Sequence, residues 1–411
     1  MPTAHSSLLP LLLILLPICG ALFTVLFGWV KIKNAREINT LVILAVQLYG
    51  TLRLALLVFN GRVVHCLGNA ICIDGLSALM VILVNALVFL VALYSVRYMQ
   101  HEVASGVISD GRLTLYYGLL LLFTGTMNWT VTTNHLVMLY VAMEASTLAT
   151  ALLVAFYRNR PSLEAGFKYV LLVVVGMTFA LFGVVLMFAA AYPHLGSAGL
   201  LISEVGRIAA VIPKNIALLA MAFLTVGFAT KAGLVPFHAW LPDAHSEAPA
   251  PISALLSGLI IKLGAYALTR TVTIFAPTYH AIVVFIAILS TLSMVVGIVM
   301  ALAQDDLKRM LAFSSVSQIS YVFEGLGLGT YLGIYGGLFH LVNHTIIKAL
   351  LFLSVGALMY ANRGRRRMSE LAGMGKKMPI TAFCFIVGAL AISGLPPLNG
   401  FASKFTLFLA I

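Results

Sequence analysis

The chain has 411 residues, 61% of them hydrophobic and only 9% charged, with a mean hydropathy of +1.05. Soluble domains carry roughly 25% charged residues, so a water-soluble globular enzyme is excluded. The net charge of +12 is no nucleic-acid signal, because the basic residues are spread over loops rather than gathered on one soluble face.

Apolar runs predict spans at 8–30, 39–59, 72–98, 113–133, 135–157 and 166–192, then, after a polar connection at 193–213, at 214–241, 249–275, 279–302, 309–328, 331–360 and 378–411. The expected fold is an all-α polytopic membrane protein with about twelve transmembrane helices, each near the 20 residues a bilayer demands. The first run has no A-x-A-like site before Lys31, Lys33 and Arg36, so it reads as a retained span and not a cleaved signal. The longest hydrophilic stretch is 361–377, NRGRRRMSELAGMGKKM. The four cysteines, Cys19, Cys66, Cys72 and Cys384, form no CxxC pair and no metal-ligand spacing.

With the N-terminus outside, the inner loops would hold fifteen basic residues, among them Lys31, Lys33, Arg36, Lys308, Arg309, Arg363, Arg365, Arg366 and Arg367, against four (Arg62, Arg207, Lys214, Arg270) outside. The positive-inside rule therefore predicts an N-terminus outside. Six basic residues remain within or beside spans: Arg53, Lys168, Lys231, Lys262, Lys348 and Lys404. A charged group at membrane depth costs several kcal/mol and marks a functional site by default.

Two of these amines sit at broken helices. Lys231 precedes Pro236 in FATKAGLVPFHAWLPDAHSEAP, where Pro236, His238, Pro242 and Asp243 shape a polar turn before the next helix brings Lys262. Near the end the order reverses: Pro396 and Pro397 precede Lys404 in SGLPPLNGFASKF. Irregular backbone at that depth is tolerated only against protein or a water-filled cavity, and reversed order is what two copies of inverted topology give. Glu144 lies in an otherwise apolar run, and His340, His344 and Lys348, spaced i, i+4, i+8, share one helix face about 6 Å apart along its axis. If their helices are neighbours, Glu144 and Lys231 can pair. Burial disfavours a charged amine and a nearby carboxylate favours it, so an amine between the two influences can take up and release a proton. The ordered candidates for a proton relay are Glu144, Lys168, Lys231, Lys262, His340, His344, Lys348 and Lys404.

Plainer readings stand beside these. Lys168 can snorkel from a helix end, and Arg53 reads as a structural or subunit-contact residue. His340 and His344 have zinc-like spacing but no third ligand, and no metal site is expected. His238 and His245 are expected to satisfy freed backbone groups or shape the loop. Asp74 and Glu324 are candidate buried acids near span boundaries, whereas Asp305, Asp306, Lys308 and Arg309 read as a solvated loop.

With these residues in view, the chain resembles the antiporter-like, proton-conducting membrane subunits shared by respiratory complex I (NADH:quinone oxidoreductase), Mrp cation/proton antiporters and energy-converting hydrogenases. The resemblance covers about residues 70–411 and rests on ATKAGLVPFHAWLPDAHSEAPAPISALLSG, LKRMLAFSSVSQISYVF, FHLVNHTIIKALLFL and SGLPPLNGFASKF. MEASTLATALLVAFYRNRPSLEAGFKYVLL looks most like the hydrogenase-4 or formate hydrogenlyase branch.

The resemblance implies about fourteen helices with two inverted five-helix repeats, each a half-channel joined to a central line of charged residues. On that pattern, 1–112 hold the first three helices, 113–275 the first repeat with its broken helix, and 276–411 an incomplete second repeat. By position, Glu144 matches the family's acid of the fifth helix, Lys231 the lysine of the broken seventh, and Lys262 the eighth-helix lysine of some members. His340, His344 and Lys348 fall on the eleventh helix. Lys404 falls on the broken twelfth, where other members carry Glu.

The chain stops at Ile411 within that span, so a fragment, or a repeat completed elsewhere, is expected. The function implied is proton translocation as a membrane subunit of a redox-driven oxidoreductase complex. Partners would be further membrane subunits and a peripheral redox arm in the inner (cytoplasmic) membrane. Flavin, iron–sulfur clusters, and quinone or hydrogenase metals would sit on those partners, with no cofactor on this chain. The alternatives are a Mrp-like Na⁺/H⁺ antiporter subunit and a non-conducting scaffold subunit.

Overall fold

The computed structural model describes residues 3–30, 34–275 and 278–411; Lys31 and Lys33 of the orientation argument lie outside the described residues. The chain is a helical bundle, as its apolar runs require. Strand β1 (Thr3–Ser6) leads into helices α1 (Leu9–Val30) and α2 (Ala35–Phe59), followed by β2 (Arg62–Cys66) and β3 (Ile71–Ile73). β1 runs parallel to β2 and β2 antiparallel to β3. This small sheet is one element the hydropathy pattern did not indicate.

Then come α3 (Gly75–Ala104), α4 (Gly111–Thr132), α5 (Leu136–Val154), α6 (Arg160–Leu195), α7 (Ile202–Arg207) and α8 (Lys214–Ala232). α9 (Trp240–Glu247) and α10 (Ala250–Leu255) follow, and a π-helical turn, Leu256–Ile260, leads into α11 (Ile261–Phe275). The chain continues through α12 (His280–Leu302), α13 (Leu307–Gly327), α14 (Tyr331–Ala361), α15 (Met374–Lys377), α16 (Pro379–Ser393) and α17 (Asn399–Phe408).

Helix starts follow from capping residues in the sequence. The side chains of Asp74, Asn159, Asp306 and Thr330 accept first-turn N–H groups of α3, α6, α13 and α14, satisfying donors that have no partner within the helix. Both long helical runs break where proline and glycine coincide. Gly233 and Gly394, at φ 75° and 87°, end α8 and α16 in the left-handed conformation that glycine adopts freely. Val235–Pro236 and Pro396–Pro397 follow as cis peptide bonds.

Among the described residues, nine helical stretches are long and apolar enough to cross a membrane. The expected twelve included α4 and α13, which have the length but are threaded with polar residues such as Thr124, Asn128, Thr130, Ser315, Gln318 and Ser320. Both are covered by neighbouring helices, so the lipid does not dictate their composition. α16 and α17 are short because the second break divides that run. The outward faces of α6 and α12 carry Phe167, Leu171, Val175, Ile288, Leu292 and Val295, all exposed, as suits a surface meeting acyl chains.

Candidate functional site

In the interior, α5 packs on α6, α6 on α8, α8 on α11, the π turn on α14, and α14 on α17. The predicted polar residues fall along this succession.

Lys231 sits in the last turn of α8 and is fully buried. Its Nζ donates to Thr147 Oγ1 at 2.7 Å, Tyr169 Oη at 3.3 Å and Met143 O at 3.4 Å. Backbone groups freed by the break are paired: Trp240 Nε1 donates to Thr230 O and Val235 N to Ser293 Oγ, each at 2.9 Å. Glu144, one helical turn before Thr147 on α5, lies within electrostatic reach of Lys231, yet the two form no ion pair and Glu144 Oε1 has no hydrogen-bond partner. The direct pair expected from sequence is replaced by two hydroxyls and a carbonyl around the amine.

Lys262 is fully buried and donates to Ser257 O, five residues back, in the π turn. Ser257 Oγ meets Ser315 Oγ of α13 at 2.8 Å. Lys262 is within electrostatic reach of Lys348, His340 and His344. On α14, His340 Nδ1 meets Ser403 Oγ at 2.9 Å, and Lys348 donates to Leu311 O at 2.9 Å and to Ser314 Oγ. His344 has no partner at either nitrogen. Lys404 of α17 donates to Ile392 O at 2.8 Å, a free carbonyl at the end of α16, and stands 4.8 Å from the Tyr321 ring centre. It also borders a cavity of about 630 Å³ with Ser314 and Tyr321.

The structure thus gathers Lys262, His340, His344, Lys348 and Lys404 into one buried column, with Lys231 and Glu144 as a separate group beside it. Among the described residues, no side-chain hydrogen bond joins Lys231 to Lys262. Lys168 lies elsewhere: it is partly exposed and bonds Asp243 at 2.5 Å, and Asp243 also accepts from Arg309 at 2.7 Å. Asp243 of the broken-helix loop therefore ties α6, α9 and α13 together. Pro236 and Pro242 shape the same loop, with Pro242 buried; Pro396 and Pro397 form its second counterpart. Arg53 faces outward on α2. Of the two acids near span boundaries, Glu324 accepts from Ser290 and Thr291, and Asp74 pairs with Arg270.

One reading is narrowed and one corrected. His245 satisfies no freed backbone group; both ring nitrogens are buried without a partner, and the ring lies on Phe352, 4.7 Å between centres and 11° between planes. It stands within electrostatic reach of Lys262, Lys308 and Lys348. Lys308 is not part of a solvated loop but is 1% exposed, donating to Ser246 O at 3.1 Å and Ala248 O at 2.5 Å. Asp306 caps α13 and bonds Arg366 at 2.5 Å.

Lys308 borders a cleft of about 620 Å³ among the basic loops, with Glu102, Tyr157, Glu247 and Arg366 on its walls. Sequence offered one cue to it, a lysine two residues after an N-cap aspartate and therefore within the first turn of the helix. Among the described residues, no three His, Cys, Asp or Glu side chains come together as a metal site would require.

The family model for the NADH:quinone oxidoreductase/Mrp antiporter transmembrane region matches residues 133–411, and that for the complex I chain 5 N-terminus matches residues 67–105. The chain belongs to this family.

A hydrogenase-4 component F homolog of Methylacidiphilum infernorum is 32% identical over 82% of the chain and 72% of its own length. NADH-quinone oxidoreductase subunit N of Desulforudis audaxviator is 32% identical over 99% of the chain and 80% of its own length. A subunit in the structure of the membrane-bound sulfane sulfur reductase, an archaeal respiratory membrane complex, superposes with a TM-score of 0.88 at 27% identity, covering 98% of the chain and 82% of that subunit. Membership makes this a multi-pass, antiporter-like membrane subunit, in agreement with the resemblance read from the lysine-bearing broken helices.

Proposed function

We propose that the chain conducts protons as a membrane subunit of a redox-driven ion pump. The observation that carries this reading is the column of Lys262, His344, Lys348, His340 and Lys404, each buried and within electrostatic reach of another member. A buried imidazole has one nitrogen that donates and one that accepts, so unpartnered His344 and His245 can pass a proton between amines. The cleft at Lys308 supplies an approach from the basic face through His245 to Lys262. Glu144, in electrostatic reach of Lys231 but not bonded to it, influences when that amine releases its proton. In this reading Lys168 serves the ionic tie at Asp243 more than the relay.

The basic residues around Arg309, Arg363 and Arg366 share one face, and the positive-inside rule turns that face to the cytoplasm of a cytoplasmic-membrane protein, with the N-terminus outside. The two breaks, with lysine before the first and after the second, support inverted repeats within 113–275 and 276–411. Partners would be further membrane subunits and a peripheral arm bearing the electron carriers. A Na⁺/H⁺ exchange reading needs oxygen ligands around the ion, and the column is built of amines and imidazoles.

Redox-driven proton uptake in inverted vesicles tests the proposal, comparing wild type with Lys231→Ala and Lys262→Ala at matched complex abundance. Pumping should fall in both while the complex stays assembled; wild-type pumping in both would overturn it.

A further inference from the structure

The polar side of α11 continues past Lys262 toward the face opposite the basic loops. Tyr266 stands one turn on, on the same helix face as Lys262, and is buried. Its hydroxyl donates to Val131 O at 2.9 Å and lies 3.0 Å from Ser77 Oγ. Arg270, a further turn along, donates from Nε to Tyr266 Oη at 3.1 Å and from Nη2 to Ser77 Oγ at 2.6 Å. Its two terminal nitrogens grip both oxygens of Asp74 at 2.5 and 2.7 Å. Asp74 and Arg270 then border a cavity of about 270 Å³ with Thr133, Asn134 and Ser203.

Hydroxyls therefore run from the neighbourhood of Lys262 to this cavity, with two links closed. The Lys262 amine turns back toward Ser257 O, away from Tyr266. The Asp74 carboxylate is engaged on both oxygens by the guanidinium.

We propose that the Asp74–Arg270 pair is the outer seal of the ion path, and that Tyr266 and Ser77 relay a proton from Lys262 to Asp74 when the pair parts. The inference rests on the conducting role given above. When the amine swings round, the Lys262 ammonium gives its proton to the Tyr266 oxygen as the Tyr266 proton passes to Ser77 and the Ser77 proton to the Asp74 carboxylate. Asp74 then releases it to water in the cavity. Lys262 is left neutral, both hydroxyls keep one proton each, and the guanidinium re-engages the carboxylate.

The test is passive proton leak, measured with a pH-sensitive dye trapped in liposomes that hold the intact native complex, under an imposed potassium-diffusion potential and without an electron donor. Arg270→Gln should raise the leak several-fold, and Arg270→Lys should raise it less. Tyr266→Phe or Lys262→Ala, added to Arg270→Gln, should bring the leak back toward wild type. An Arg270→Gln complex as tight as wild type would overturn the proposal. So would a leak that persists unchanged without Tyr266 or Lys262, since that reports general disruption. If Arg270→Gln does not assemble, Ser77→Ala replaces it: redox-driven pumping should slow with assembly intact, and unchanged pumping overturns the relay. Loss of pumping in Lys231→Ala and Lys262→Ala together with a tight Arg270→Gln complex would sink the seal alone, whereas normal pumping in both Lys231→Ala and Lys262→Ala would sink the conducting role itself.

Discussion

His340 and His344 hold their rings nearly parallel on α14, 6.1 Å between centres and 7° between planes. Ser403 anchors the first, while the second has no partner at either nitrogen. Replacing His344 by Phe keeps a flat ring in place and removes both nitrogens. Redox-driven pumping should fall sharply with the complex assembled. Ser403→Ala frees His340 without removing it and should reduce pumping less. Equal pumping in His344→Phe and wild type would take His344 out of the path.

Thr147 is the nearest acceptor to the Lys231 amine. Thr147→Val keeps the shape and removes the hydroxyl, leaving a buried amine with weaker partners, at a cost of about 1–3 kcal/mol. Thermal unfolding of the purified complex should shift down, and the Tyr169→Phe shift should be smaller because that contact is 3.3 Å against 2.7 Å.

Asp243 holds two cations, so Asp243→Asn should cost more than losing either. All three side chains are partly exposed, which limits each pair to about 1 kcal/mol or less. Lys168→Ala should therefore leave pumping far closer to wild type than Lys262→Ala does. Pumping lost equally in both would return Lys168 to the relay.

The Asp74 carboxyl is pulled two ways: burial raises its pKa, but the hydrogen bonds and charge of Arg270, with the Ser77 N–H, outweigh that and hold it below its ordinary 3.8. A carboxylate with a lowered folded pKa contributes stability that is complete above the unfolded value and is lost as pH falls through the folded one. Wild type should thus exceed Asp74→Asn in stability by a constant margin at neutral pH, about 1 kcal/mol for a carboxylate that is more than a third exposed and so screened by solvent. The margin should shrink only below about pH 4. A margin already lost at pH 6 would contradict the pairing.

Gly400 lies where α17 crosses the end of α16, and an added Cβ would fall 1.7 Å from Ala391 O. Since backbone cannot yield that far, Gly400→Ala should displace α17 and with it the contacts of Lys404 and Ser403. Assembly or pumping should be lost, and a fully active Gly400→Ala complex would disprove this packing.

The legible part of this molecule was its set of anomalies. Lys231, Lys262, Lys348 and Lys404 interrupt apolar runs, and proline marks both breaks, so the helices and the column could be expected from one dimension. What stayed hidden depends on distant partners. Asp74 and Arg270 are 196 residues apart, and each taken alone looks like a boundary charge. Lys308 sits between Asp306 and Arg309, so local composition signals solvent, while Ser246 and Ala248 from another element enclose it. Glu144 and Lys231 read as a pair because opposite charges attract, yet Thr147 and Tyr169 are nearer to the amine. His245 lies in a loop motif whose polarity suggests backbone capping, and only the packing against Phe352 shows that it is shut away.

The π turn at Leu256–Ile260 fits one more residue into the helix than an α-helical path of the same span would hold. Everything after it is set one position out of phase with α10, which at 3.6 residues per turn is a rotation of about 100°. Deleting one residue there would restore the regular ladder and swing Lys262, Tyr266 and Arg270 together, taking an amine, a phenol and a guanidinium off their separate partners at a stroke. One backbone irregularity thus aims three side chains spread over two turns, so the bearing of that whole helix depends on a single inserted residue.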